Sequence, residues 1–252
     1  MLTGFIGRNL IFLPNVDSTN SYAMQLLKNV KPKEGTVVYA GAQTQGRGQR
    51  AKVWDSEPGR NITMSVILFP SFLELKNQRF LYQITALACY DTIAANLDKS
   101  QFDIKIKWPN DILVNSKKVS GILIENNLIE NKLLSSVLGI GMNVNQKKFE
   151  QQPNATSLSL LSGRDFEPNE LMSQVCNALV KYYKLLKGGK TEQIQGLYQK
   201  LLFGVDEWRE FAVNGKNTVL KVSGTGPTGL LLLEDLEGKQ REVDAQEVRW
   251  IF

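Results

Sequence analysis

The sequence predicts an α/β (α+β) protein: a mixed sheet with flanking helices, followed by a small C-terminal β barrel. Three observations carry this expectation. Up to about residue 204, short apolar runs with strand-like alternation interleave with amphipathic stretches of helical period. From about residue 205 the texture changes to short strands broken by Gly224, Gly226, Pro227, Gly229 and Gly238. A 252-residue chain with 42% apolar and 22% charged residues also has enough apolar surface for a sizeable core. The expected division is 1–204 and 205–252.

Residues 10–13 read as a short buried strand, closed by Pro14-Asn15. Asp17, Ser18, Thr19 and Asn20 offer capping oxygens ahead of Tyr22, Ala23, Leu26 and Leu27, which recur at helical spacing. A turn at 32–35 leads to a second strand at 36–40. From 41 to 59 the apolar periodicity vanishes, a length that is usually functional or disordered in a compact domain. Residues 61–68 alternate as a strand, and 78–97 carry Phe80, Leu81, Ile84, Leu87 and Ala88 on one helical face. A short strand at 104–107 runs into Trp108-Pro109-Asn110-Asp111, and two more strands flank Asn115-Ser116. The runs 119–128 and 132–144 read as a hairpin turning at Glu130-Asn131, apolar enough to be covered on both faces. Helices follow at 171–186 and 192–202. Strands at 218–222, 229–233, 240–243 and 247–251 complete the C-terminal unit.

Composition excludes several chemistries. There is no histidine, so Ser–His and Cys–His catalysis and the usual His-bearing zinc sites are ruled out. Proton transfer falls to Asp, Glu, Lys, Tyr or water. Cys89 and Cys176 lie in helix-like apolar segments and read as buried, reduced thiols. The +5 net charge is dispersed, which suits anionic small molecules or acidic partners better than a generic nucleic-acid surface. No apolar run is long enough to span a bilayer, and the N-terminal stretch lacks a leader pattern, so a cytoplasmic location is the default expectation.

Four clusters carry chemistry. In the 46–54 stretch, Gly46 and Gly48 free the backbone, Arg47, Arg50 and Lys52 supply cationic donors, and Trp54 supplies an aromatic face. It fits neither the Walker A pattern nor the dinucleotide-binding fingerprint, and a solvated, incidentally charged turn explains it equally well. Around Lys107, the Trp108-Pro109 pair fixes a bend from which Asn110 and Asp111 project; Asp111 is a good hard ligand for Mg2+, though turn capping also accounts for Asn-Asp. Lys118 opens a strand that turns apolar, with Gly121 inside it signalling close backbone approach. Gly139, Gly141 and Asn143 mark a strand end with exposed backbone.

Ser18-Thr19-Asn20, Gln43-Thr44, Gly46-Arg47-Gly48, Trp54, Lys107-Trp108-Pro109-Asn110-Asp111, Lys118 with 121–125, and Gly141-Met142-Asn143 resemble, in order and approximate spacing, the biotin–protein ligases. The resemblance covers nearly the whole chain, and it makes the C-terminal segment an SH3-like domain. It implies activation of biotin by ATP as biotinyl-5′-AMP, then transfer to a lysine of a biotin carboxyl carrier protein. It implies that Ser18, Thr19, Asn20, Gln43, Gly46, Arg47, Lys118, Gly121 and Leu123 contact biotin. Arg50, Trp54, Lys107, Asn110, Lys118 and Asn143 would contact ATP or the adenylate. Arg47, Arg50, Lys118 and Asp111 would act in catalysis, with Mg2+ near Asp111. Gln49 stands where many relatives carry Arg, which is expected to weaken adenylate retention.

The resemblance leaves both a homodimer through the central sheet and a monomer open. It implies no DNA partner, because the Ser18-Thr19-Asn20 motif begins too early for a preceding helix-turn-helix. A lipoate–protein ligase is the nearest rival, although that group typically carries a histidine-bearing motif absent here. A non-catalytic nucleic-acid-binding protein would predict steeply salt-dependent binding, but gives no reason for these motifs to occur together.

Overall fold

The computed structural model of the chain describes residues 4–150 and 152–251. Residues 1–3, part of the N-terminal stretch read for a leader, lie outside the described residues, as does residue 252. Among the described residues no helix is long and apolar enough to cross a membrane.

Seven strands build the larger sheet: β1 (Leu10–Val16), β2 (Val37–Gln43), β3 (Ile62–Leu68), β4 (Ile104–Lys107), β5 (Asp111–Val114), β6 (Lys117–Ile129) and β7 (Lys132–Met142). Their order is β1-β2-β3-β7-β6-β5-β4. β1 and β2 run parallel and the remaining neighbours antiparallel, so the sheet is mixed. The β5–β6 turn at Asn115-Ser116 and the β6–β7 turn at Glu130-Asn131 both use left-handed residues, as two-residue hairpin loops require.

Helices cover both faces unequally. α2 (Arg79–Asn96) and α4 (Pro168–Lys187) pack Leu81, Ile84, Leu87, Leu171, Val175 and Leu179 into one core with Met64, Val66, Ile122 and Ile140. On the opposite face α1 (Thr19–Asn29) covers only one end, where Ala23 meets Val38, Ile67 and Val137. The rest of that face stays open, and the site forms there.

α5 (Thr191–Lys200) leads into the C-terminal sheet of β8 (Trp208–Val213), β9 (Lys216–Thr225), β10 (Leu231–Glu234), β11 (Gln240–Val243) and β12 (Val248–Trp250). The sheet is antiparallel, in the order β11-β10-β9-β8-β12. Its Phe211, Leu220, Val222 and Leu231 belong to the same core cluster as α2 and α4, so the unit is fused to the larger sheet by packing. Trp108 Nε1 also donates to Gly229 O at 2.9 Å, which gives the Trp-Pro bend a structural partner across the two sheets.

Several expectations need correction. β1 is not a short buried strand: it runs through Pro14-Asn15 to Val16 at the sheet edge, leaving Leu10 and Phe12 exposed. Proline, which has no N–H to donate, is tolerated on an edge strand. β8 escaped the pattern because Arg209 and Glu210 interrupt its apolar alternation. The short helix α3 (Leu158–Ser162) spans too few residues to show a period. The stretch 41–59 is also more ordered than its composition suggests, since β2 extends to Gln43 and the following loop folds on itself.

Both cysteines are buried, and burial pushes each thiol up to about 12. A raised thiol pKa leaves almost no thiolate at pH 8. Neither Cys89 nor Cys176 should therefore react with a disulfide reagent at pH 8 until the protein unfolds; rapid native-state labelling, followed by absorbance, would contradict this.

Candidate active site

The open face of the sheet is floored by small residues because side chains alternate with period two. Register aligns Thr63 with Gly141, Gly141 with Gly121, Gly121 with Asp111 and Asp111 with Lys107. One transverse row thus crosses five strands, from a hydroxyl through two glycines to a carboxylate and an ammonium. The next row places Ser65 beside Gly139 and Gly139 beside Leu123. The resulting cleft holds about 1080 Å3, just above the roughly 300–1,000 Å3 typical of small-molecule sites.

At one end, the first turn of α1 meets the sheet. Ser18 caps the helix and accepts from Ser21 N. Gln43 Oε1 accepts from Thr19 N (2.8 Å) and Thr19 Oγ1 (3.2 Å), leaving the Gln43 amide nitrogen as a donor. Ser65 Oγ donates to Asn20 Oδ1 (2.6 Å) and lies 2.8 Å from Thr19 Oγ1. Asn20 Nδ2 donates to Glu125 Oε2 at 2.9 Å and approaches Leu123 O at 3.3 Å. Ser18, Thr19 and Asn20 are all buried, so this polar cluster is rigid and largely desolvated.

At the other end, Lys118 Nζ lies 2.7 Å from Asp111 Oδ1. That oxygen is buried and makes no aligned hydrogen bond, so the contact is chiefly ionic. Burial lowers the pKa of Lys107; the Asp111 charge opposes this, while Lys118 and Lys52 reinforce it. One carboxylate thus serves several cations, leaving a net positive field. Asn110 Nδ2 donates to Ile122 O at 2.9 Å, which ties the bend to β6.

The loop 46–54 lies over the floor. It is closed by Trp54 N to Gly46 O (2.8 Å) and Gly48 N to Lys52 O (2.7 Å), around a 3-10 turn at Gln49–Ala51. Trp54 is buried against Gly141, where a Cβ would overlap its indole. Lys118 Nζ lies 5.4 Å from the ring centroid, within cation–π range. Arg50 takes a left-handed conformation (φ 57°) and is exposed at the cleft rim.

Most residues singled out by the sequence therefore converge on one cleft: Ser18, Thr19, Asn20, Gln43, Arg47, Arg50, Trp54, Lys107, Asn110, Asp111, Lys118, Gly121 and Leu123. Two do not line it. Asn143 is buried, with its Nδ2 donating to Thr156 O at 3.1 Å and approaching Lys118 O at 3.5 Å, so it knits the scaffold beneath Lys118. Gly46 lies behind the loop, where a Cβ would overlap the Trp54 carbonyl oxygen; its task is loop closure. Sequence reasoning gave no role to Glu125, which holds Asn20, and missed Gln152 and the C-terminal residues Asn214, Gln246 and Arg249 at the rim. Glu125 had a visible signal: it is a lone carboxylate in an apolar run, two and four residues beyond Leu123 and Gly121 on the same face. The C-terminal residues had none, since only folding brings them to the cleft.

This geometry agrees with the comparisons to known proteins. Residues 12–143 match the model of the Biotin/lipoate A/B protein ligase family. The chain is 35% identical to the bifunctional ligase/repressor BirA of Bacillus spizizenii, over 94% of this chain and 72% of that one. It is 29% identical to the biotin–[acetyl-CoA-carboxylase] ligase of Mycobacterium tuberculosis, over 68% and 63% of the two chains. A structure of the Aquifex aeolicus biotin protein ligase in complex with biotin and ATP superposes with a TM-score of 0.75 at 28% identity, covering 96% of this chain and 98% of that one. The chain belongs to the Biotin/lipoate A/B protein ligase family, as a biotin–protein ligase.

Proposed function

We propose that the protein joins biotin to ATP, forming biotinyl-5′-AMP and pyrophosphate, and transfers the biotinyl group to a lysine of a biotin carboxyl carrier protein. The observation that carries this reading is the single cleft linking a neutral, hydrogen-bonding end at Ser18, Thr19, Asn20 and Gln43 to a cationic end at Lys107 and Lys118. A neutral polar head and an anionic mixed anhydride are bound by those two ends in turn. Residues 1–204 are assigned to biotin and ATP binding, and 205–252 to the C-terminal β unit that borders the cleft.

In the first step a biotin carboxylate oxygen bonds to the α-phosphorus of ATP, and the bond to the departing pyrophosphate breaks. Lys118 and Lys107, beside the transverse glycine row, lower the repulsion between the two anions and offset charge developing on phosphate. Arg47 and Arg50 belong to the lid above it, and Trp54 excludes water from an anhydride that hydrolyses readily. In the second step the acceptor amine bonds to the acyl carbon, AMP leaves with the bonding electron pair, and the amine sheds a proton. Asp111 is the carboxylate nearest Lys118 and is the proposed acceptor of that proton.

Among the described residues no cluster of three or more metal-ligating side chains exists. Mg2+ typically needs only one or two carboxylates when phosphates supply the remaining oxygens. Asp111, whose Oδ1 already pairs with Lys118 Nζ at 2.7 Å, is the one carboxylate that Mg2+ would share with that ammonium. Bound there, Mg2+ would neutralise phosphate charge.

The test is incubation with biotin, MgATP and a carrier domain, read as a mass gain on the carrier, alongside biotin- and lipoate-dependent ATP–pyrophosphate exchange. Exchange with lipoate but not biotin would overturn the assignment. Gln49, whose side chain approaches the Tyr82 hydroxyl, adds no charge to the lid. Gln49→Arg is therefore expected to slow release of biotinyl-AMP in a single-turnover chase; an unchanged release rate would refute that role.

A further inference from the structure

We infer that Arg47 is the latch of the 46–54 lid and that Glu125 is its keeper, a positioning residue for the proposed reaction and not a contact to substrate. Arg47 Nη2 lies 3.0 Å from Glu125 Oε1 and Nη1 lies 3.3 Å from Oε2, with Nη1 also 3.4 Å from Ser21 Oγ. Both guanidinium arms engage both carboxylate oxygens, a forked pairing that fixes direction as well as distance. Glu125 is itself held, because Asn20 Nδ2 donates to its Oε2 at 2.9 Å. The latch therefore closes onto the same buried residue that organises the neutral end of the cleft.

Beside it lies the Tyr82 hydroxyl, 3.4 Å from Ile124 O and N, which Gln49 approaches and which feels the Glu125 charge. Two lid residues thus face neighbouring points of β6 and α2, while Arg50, between them and Trp54, makes no ion pair or side-chain hydrogen bond among the described residues. The division of labour follows. Arg47 ties the lid down, and Arg50 and Lys52 are the lid cations left for an anion in the cleft. This also explains a carboxylate in a strand whose neighbours Ile122, Leu123 and Ile124 are apolar.

The inference rests on the ligase reading for its purpose, but its test needs neither biotin nor ATP. Endoproteinase Lys-C is applied to the folded, ligand-free chain, and cleavage after the exposed lid residue Lys52 is timed by mass spectrometry against cleavage at other lysines. Glu125→Gln keeps an acceptor for Asn20 and removes the charge. It should raise the Lys52 cleavage rate roughly two- to five-fold, the range expected from losing one partly exposed ion pair. Arg47→Glu should raise it further, and the double exchange Arg47→Glu with Glu125→Arg should return it towards the original rate. A wild-type rate in Glu125→Gln overturns the latch, as does a double exchange cleaved as fast as Arg47→Glu. If the double exchange fails to fold, Glu125→Gln alone decides. Failure to biotinylate a carrier, with these rates as expected, would sink the ligase reading and leave the latch standing.

Discussion

Lys118→Ala should lose biotin transfer by roughly a hundred- to a thousand-fold in kcat, the scale seen when one preorganised donor to a developing anion is removed. Lys118 is placed by two backbone hydrogen bonds and a side-chain amide. Its N–H donates to Asn154 O at 2.8 Å, while its carbonyl accepts from Thr156 N at 2.9 Å and lies 3.5 Å from Asn143 Nδ2. Its ammonium is then fixed between Asp111 Oδ1 and the Trp54 ring. Truncation removes the cation and leaves Asp111 facing the incoming anions without its nearest countercharge, so two unfavourable effects act together. Lys118→Arg keeps the charge but replaces a compact ammonium with a planar fork, and should recover only part of the rate. Single-turnover formation of biotinyl-AMP is the measurement; full activity in Lys118→Ala would remove the residue from the mechanism.

Gly139→Ala should give the second large effect, on stability and biotin affinity together. A Cβ at Gly139 would overlap Asn20 Oδ1 and lie 2.9 Å from Asn20 Cγ and 3.0 Å from its Nδ2. Asn20 cannot step aside cheaply, because Ser65, Glu125 and Leu123 hold both ends of its amide. Relief requires moving the first turn of α1 or breaking buried hydrogen bonds. Overpacking or an unsatisfied buried polar group costs about 1–3 kcal/mol, and a loss on that scale is expected by either route. Urea unfolding should show the midpoint falling, and KM for biotin should rise more than KM for ATP, since the displaced residues lie at the neutral end. An unchanged midpoint would mean that Asn20 is less tightly held than its hydrogen bonds imply.

The sequence by itself determined the local elements and the chemical inventory. Ser18 before an apolar-periodic run sets the start of α1, the Asn115-Ser116 and Glu130-Asn131 turns set the hairpins, and alternation sets which residues of β3, β6 and β7 share a face. These are short-range effects, written in propensity and spacing. The absence of histidine likewise bounded the chemistry with no fold required. Motif order also sufficed to bring the family into view.

Strand order and lateral register belong to the tertiary structure alone. Aligning Thr63, Gly141, Gly121, Asp111 and Lys107 in one row depends on pairings between residues up to about eighty positions apart, which no window of sequence encodes. The same long-range packing sent Asn143 under the floor instead of into the cleft. It also brought Arg249 to the rim and joined Arg47 to Glu125 across 78 positions. A polar side chain can serve a ligand or the scaffold with equal chemical fitness, and only its folded neighbours decide which.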